Sequence, residues 1–191
     1  MNGTTTTVNS TTMDVADINI TVANGAANSA AADGAGLTIE GAGVNFQWSD
    51  ADQQMSLNKS LAINGTLDIE EVYEKVNVSA STTGALAYET NAYGVLLLST
   101  AQTANRTINF TNVNTNLAIG QSVTCAVLAT QGSTAYYLNA YQVDGSAVTP
   151  KWSGGAAPTG GNASGIDSYS FTIIKTADAT FTVLASQTQF A

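Results

Sequence analysis

The chain has 191 residues, of which 10% are charged, with fourteen acids against five bases and a formal net charge of −9. So few lysines and arginines build no basic patch, which argues against counterion-release binding to nucleic acid and against docking on anionic membranes. Histidine is absent, which removes the commonest general base and the commonest metal ligand. Polarity comes instead from Thr, Ser, Asn and Gln, side chains that suit a hydroxyl- and amide-covered β-framework. The single cysteine, Cys125, lies in a strand pattern and is expected to be a buried, inert thiol.

Residues 1–16 form a Thr/Asn/Ser tract with little to bury, expected to be a flexible arm or a segment ordered by a partner. Its first residues show neither a basic n-region nor an apolar h-region, so no secretory signal is expected. Asp17–Val22 alternates with period two and reads as a strand with Ile18, Ile20 and Val22 on one face. Three further short strands follow: Leu37–Glu40, Val44–Trp48 with Val44, Phe46 and Trp48 on one face, and Met55–Leu61. Few of these side chains are large, so residues 1–65 cannot build a sufficient core alone. A core shared among copies, as in a parallel trimer, is the physical solution.

Asp68–Val76 gives a helix signal. Ile69, Val72, Tyr73 and Val76 follow the i, i+3, i+4, i+7 spacing, Asp68 is a candidate N-cap, and Glu71 stands three residues on. Nine residues span only about 13 Å, so such a helix needs a cover for its apolar face. The expected cover is a set of symmetry mates, which makes Ile69, Val72, Tyr73 and Val76 the candidate trimer interface.

Beyond the helix, strands are expected at Val76–Ser79, Ala85–Glu89, Tyr93–Leu98, Arg106–Asn112, Ser122–Thr130, Ala135–Val143, Ala147–Thr149, Tyr169–Lys175 and Thr180–Ser186. Asp144-Gly145 marks a tight turn, and Ser153–Gly165 is a Gly-rich loop. The longest concentrated apolar run, Val95–Leu98, is far too short to span a bilayer. The fold class is therefore mainly β: a short-stranded N-terminal segment over 1–65, a linking helix over 66–76, and an antiparallel, jelly-roll-like sandwich head over 77–191.

Catalytic chemistry has little to work with. Asp50 with Asp52, and Glu70 with Glu71 and Glu74, are the carboxylate groups to weigh for glycoside hydrolysis, but they fall in a polar turn and on a solvated helix face. Asp50-x-Asp52 lacks the rest of a calcium loop, and neither Asp33-Gly34-Ala35-Gly36 nor the later glycine pairs make a phosphate motif. Asn-x-Ser/Thr triplets at Asn19, Asn58, Asn64, Asn77, Asn109 and Asn162 follow from composition. No catalytic, cofactor or metal site is expected. Tyr136, Tyr137, Tyr141 and Trp152, beside Ser/Asn/Gly-rich loops, are the candidate receptor or protein contact, weighed against a role in packing.

Several stretches in order resemble a known family. Asp33–Ala42, Trp48 and Asn58–Leu61 are similar to a short module in tail-fibre and related virion proteins of marine tailed phages, particularly cyanophages. Ile69–Asn77 resembles the linker that follows it there, and Gln131–Tyr137, Val148–Trp152 and Ile174–Gln187 resemble their shared C-terminal domain. The resemblance implies a virion structural protein, usually trimeric, and implies no catalytic site. The expectation is a homotrimeric fibre or appendage protein, docked on other virion proteins through its N-terminal arm, with its head toward a host-surface glycan or protein. The alternatives are a capsid decoration (cement) protein and, from another class, a polysaccharide-degrading fibre enzyme.

Overall fold

The computed structural model describes residues 11–191, so the expectation of a flexible arm over the first ten residues lies outside the described residues. The chain divides into two compact units, one running through Ile69 and the other from Glu70 to Ala191. In the first, strands β1 (Gly36–Ile39), β2 (Val44–Ser49) and β3 (Gln54–Leu57) pair antiparallel in that order. Their registers place Leu37 opposite Phe46 and Phe46 opposite Leu57, Ile39 opposite Val44, and Trp48 opposite Met55. Because side chains alternate along a strand, these apolar residues share one face, while Thr38, Asn45, Gln47 and Ser56 share the other. Gln47 Nε2 donates to Thr38 Oγ1 at 3.0 Å across the polar face.

Two expectations for this part of the chain are corrected. Asp17–Val22 forms no strand, and Ile18, Ile20 and Val22 stay exposed. A period-two pattern needs a neighbouring strand to satisfy its backbone, and none among the described residues pairs with it. Nor does a helix form over 66–76: residues 66–75 are irregular, and Val76 opens a strand. The amide N–H groups of Gly94 and Val95 donate to the Lys75 carbonyl at 3.1 and 3.4 Å, so the sheet takes the carboxyl end of the segment. A nine-residue helix with β-branched Ile69, Val72 and Val76 cannot compete with that ladder. Tyr73 Oη instead donates to Glu71 Oε2, two residues away, at 3.0 Å.

The second unit is a two-sheet sandwich, and the fold as a whole is mainly β. Its elements are β4 (Val76–Ser79), β5 (Leu86–Glu89), β6 (Val95–Leu98), β7 (Arg106–Thr111), α1 (Val113–Asn116) and β8 (Ser122–Thr130). After them come β9 (Leu138–Val143), β10 (Ser146–Ala147), β11 (Lys151–Trp152), β12 (Ile166–Ala177) and β13 (Thr180–Phe190). One sheet has the order β11-β13-β12-β8-β6-β4 and the other β10-β9-β7-β5. From β4 to β9 the chain changes sheet at every connection. Each strand therefore lies beside the strand two before it and runs the same way: β4, β6 and β8 are parallel neighbours, as are β5, β7 and β9.

The expectation of antiparallel pairing throughout the sandwich is corrected accordingly. Antiparallel pairing is confined in this unit to β8 with β12, β12 with β13 and β9 with β10. Parallel neighbours need a crossover, and here the arch across the core to the other sheet supplies it.

Period-two patterning builds the core. Leu86 and Tyr88 of β5, Ile108 and Phe110 of β7, Val127 of β8 and Tyr169, Phe171 and Ile173 of β12 belong to one buried cluster. Phe110 and Phe171 meet edge to face across the sandwich with ring centroids 4.9 Å apart. The same alternation puts three ionisable residues on inward faces: Arg106 leads Ile108 and Phe110, and Asp167 and Lys175 bracket the inward row of β12.

Candidate functional site

The expected trimer-interface residues do not share a helical face. Ile69, Val72, Tyr73 and Val76 are 51, 66, 87 and 47% exposed, and without helical turns the i+3 and i+4 spacing no longer collects them. In the first unit, exposed apolar side chains occur in the irregular segments, among them Ile18, Ile20 and Leu61, and on β1–β3. Leu37, Ile39, Phe46 and Met55 are 66, 61, 45 and 49% exposed. Trp48 is half-covered, and its indole N–H donates to the Ser29 carbonyl at 3.2 Å. No residue from 11 to 69 is buried, so among the described residues this sheet has one apolar face and no second layer.

The four aromatic candidates separate. Tyr141 and Trp152 are brought together edge to face, centroids 5.4 Å apart, and both contact Phe171 of the core. Trp152 sits in register with buried Ala185, and Tyr141 with buried Ile108, so both rings close the sandwich from inside its edge. The Tyr141 hydroxyl donates to the Leu138 carbonyl, and burial pushes it above its ordinary pKa. Tyr137 packs against the same core cluster, while Tyr136 is half-buried and donates its amide N–H to Gln131 Oε1 at 2.9 Å. A shallow groove between Asn139, Tyr141, Val148, Pro150 and Trp152 opens beside these rings, and Trp152 also lines a second one with Lys151, Ser170, Thr172 and Leu184.

The carboxylates considered for catalysis lie in local turn and surface contacts. Asp52 Oδ2 accepts from Ser49 Oγ at 2.8 Å, and Asp50 Oδ1 accepts from Gln53 Nε2 at 2.9 Å. Among the described residues, no group of three or more His, Cys, Asp or Glu is arranged to hold a metal ion. Cys125 is buried, and burial pushes its thiol up to about 12.

The buried ionisable groups were missed by sequence reasoning. Arg106 is 1% exposed. Its guanidinium donates to the Gly84 carbonyl at 2.5 Å, to Gln102 Oε1 at 2.6 Å, to Ser81 Oγ at 3.1 Å and to the Ser81 carbonyl at 3.2 Å. These acceptors are neutral and belong to the arches β4–β5 and β6–β7, so one side chain ties two successive turns of the winding. Asp167 accepts from Gln131 Nε2 at 2.9 Å and from the Asn162 amide at 3.1 Å, and burial raises its pKa. Gly161 packs so closely there that an added Cβ would lie 2.5 Å from Asp167 Oδ2. Lys175 Nζ donates to the carbonyls of Asn114 and Leu117 at 2.7 and 3.0 Å, tying α1 to β12. The signal was present: Arg106 shares parity with Ile108 and Phe110, and Asp167 and Lys175 share parity with Tyr169, Phe171 and Ile173.

The described residues thus hold a small sheet with an exposed apolar face and a closed sandwich pinned by buried polar side chains. No known protein family, no curated protein and no solved structure matches the chain.

Proposed function

We propose that the protein is a virion structural protein of the fibre or appendage kind. It assembles as a homotrimer through its N-terminal unit and presents the sandwich outward, where it adheres to a host-surface glycan or protein. The observation that carries this reading is the contrast between the two units. Residues 11–69 contain no buried residue, whereas the second unit encloses a cluster that includes Tyr88, Phe110, Tyr169 and Phe171. A segment without a core is ordered by what it assembles with, while a domain with one stands alone. The resemblance of Asp33–Ala42, Ile69–Asn77 and Ile174–Gln187 to virion proteins of marine tailed phages supplies the setting.

The test is solution mass by light scattering for the full chain and for residues 70–191. The expected result is a full-length mass three times 19.5 kDa and a monomeric, folded C-terminal fragment. A full-length monomer refutes the trimer. A trimeric fragment moves the main interface into the sandwich.

A further inference from the structure

Resting on the adhesion reading above, we propose that the outer face of the larger sheet, beside β11, binds an acidic oligosaccharide of the uronic-acid kind, with Lys151 as the partner of its carboxylate. Inward Tyr169, Phe171 and Ile173 turn Ser170 and Thr172 of β12 outward, and inward Val183 and Ala185 do the same for Leu184 and Ser186 of β13. The registers put Lys151, Leu184 and Thr172 in one row across three strands, and Ser186 and Ser170 in the next outward row. Together with Trp152 and Ser153 they line a groove of about 460 Å³, within the roughly 300–1,000 Å³ of small-ligand sites.

What marks the groove is unused polarity. Inside the sandwich, Arg106, Asp167 and Lys175 give their hydrogen bonds to the fold. Among the described residues, the side chains of Lys151, Ser153, Ser170, Thr172 and Ser186 make no hydrogen bond or ion pair. The Trp152 indole N–H makes none either, and since no buried side-chain nitrogen among them lacks a partner, it is open to solvent. Lys151 is exposed and brings the one charge of the groove, whose lining holds no acid.

That set of groups selects its ligand. Free hydroxyls exchange hydrogen bonds with sugar hydroxyls, Leu184 and Trp152 offer apolar surface to the C–H face of a sugar ring, and one ammonium answers one carboxylate. A nucleic acid or an anionic membrane is held by several cations together, and this groove has one. A peptide docking as a strand needs an open edge, and at Leu184 β13 is paired on both sides, to β12 and to β11. One exposed ion pair in a shallow groove binds weakly, so the repeated sites of a trimer supply the avidity.

The test titrates the full chain with trigalacturonate and with its methyl ester, which keeps the sugar rings and removes the charge, and follows binding by saturation-transfer NMR. The expected result is a Kd for the acid on the order of 1 mM per site, and binding of the ester weaker by about threefold or more. Lys151→Gln should bring the acid down to the level of the ester, and Lys151→Arg should keep the difference. Ser170→Glu sets a like charge in the groove and should weaken the acid more than the ester. Positions 151 and 170 are exposed, so these variants are expected to keep the near-ultraviolet circular dichroism of the wild type. No saturation by the acid at about ten times that concentration overturns the site, and equal binding of acid and ester overturns the acidic ligand. Binding that Lys151→Gln and Ser170→Glu leave unchanged lies elsewhere on the chain and also overturns the proposal. The solution mass decides the assembly reading separately: a trimer that ignores the sugar loses only this site, and a monomer that binds it through Lys151 loses only the trimer.

Discussion

Arg106→Met replaces a buried guanidinium by an unbranched apolar side chain and leaves the acceptors of two arches without their donor. The wild-type side chain makes four hydrogen bonds, to Gly84, Gln102 and twice to Ser81. Hydrogen bonds to a charged group contribute about 1.5–3 kcal/mol each, a gross gain of roughly 6–12 kcal/mol. Against this stands the cost of taking a cation out of water, several kcal/mol after relaxation. The same burial holds Arg106 below its ordinary pKa. The Ser81 carbonyl keeps Gln102 Nε2 at 3.4 Å, so part of the loss is recovered. The expected net destabilisation is about 3 kcal/mol, which in a unit of this size lowers Tm by roughly 10–15 °C. Urea and thermal melts followed by near-ultraviolet circular dichroism of the buried aromatic cluster measure it. Arg106→Lys should lose about half as much, since an ammonium cannot span four acceptors in a fork. A Met variant within about 0.5 kcal/mol of wild type would refute the reasoning, because desolvation would then cancel the network.

Two further outcomes follow from buried groups. With its thiol pushed up to about 12, Cys125 should be unreactive toward a disulfide reagent at pH 8 and labelled only at the rate of unfolding; rapid labelling of the folded chain would show that β8 opens. Asp167 has its folded pKa raised by burial, so the folded state binds the proton more tightly than the unfolded one. The stability this confers is full below the unfolded carboxylate value of about 3.9 and is lost as pH rises through the folded value. Asp167→Asn, which cannot ionise, should therefore gain stability relative to wild type between pH 4 and pH 7. Urea midpoints at the two pH values decide the matter, and a difference that does not change with pH would refute it.

Much of the strand content was legible because alternation is local. Ser122–Thr130 was read with the bounds the structure gives, and Tyr169–Lys175 and Thr180–Ser186 were read as the inner parts of β12 and β13. The inward parity of Ile108 and Phe110 held as well. Asp68–Val76 went the other way, since its helical spacing is equally local but its carboxyl end gains more from pairing beside β6. The same limit explains the aromatics. Nothing in the order Tyr136, Tyr137, Tyr141, Trp152 says that two of them meet Phe171, which approaches from β12.

By itself the sequence determined the class: few charges, no histidine, period-two strands and an N-terminal part too poor in large side chains to enclose a core. Those properties follow from composition and from the two-residue repeat of a strand, which each residue expresses without knowing its partners. Only the tertiary structure decided the direction of pairing. A strand of given pattern pairs parallel or antiparallel depending on whether the chain turns back within a sheet or crosses the core first. It also decided that Arg106, Asp167 and Lys175 could be buried. An ionised side chain is tolerated inside only where carbonyls, amides and hydroxyls from distant segments converge on it, and that convergence exists only once the sheets have closed.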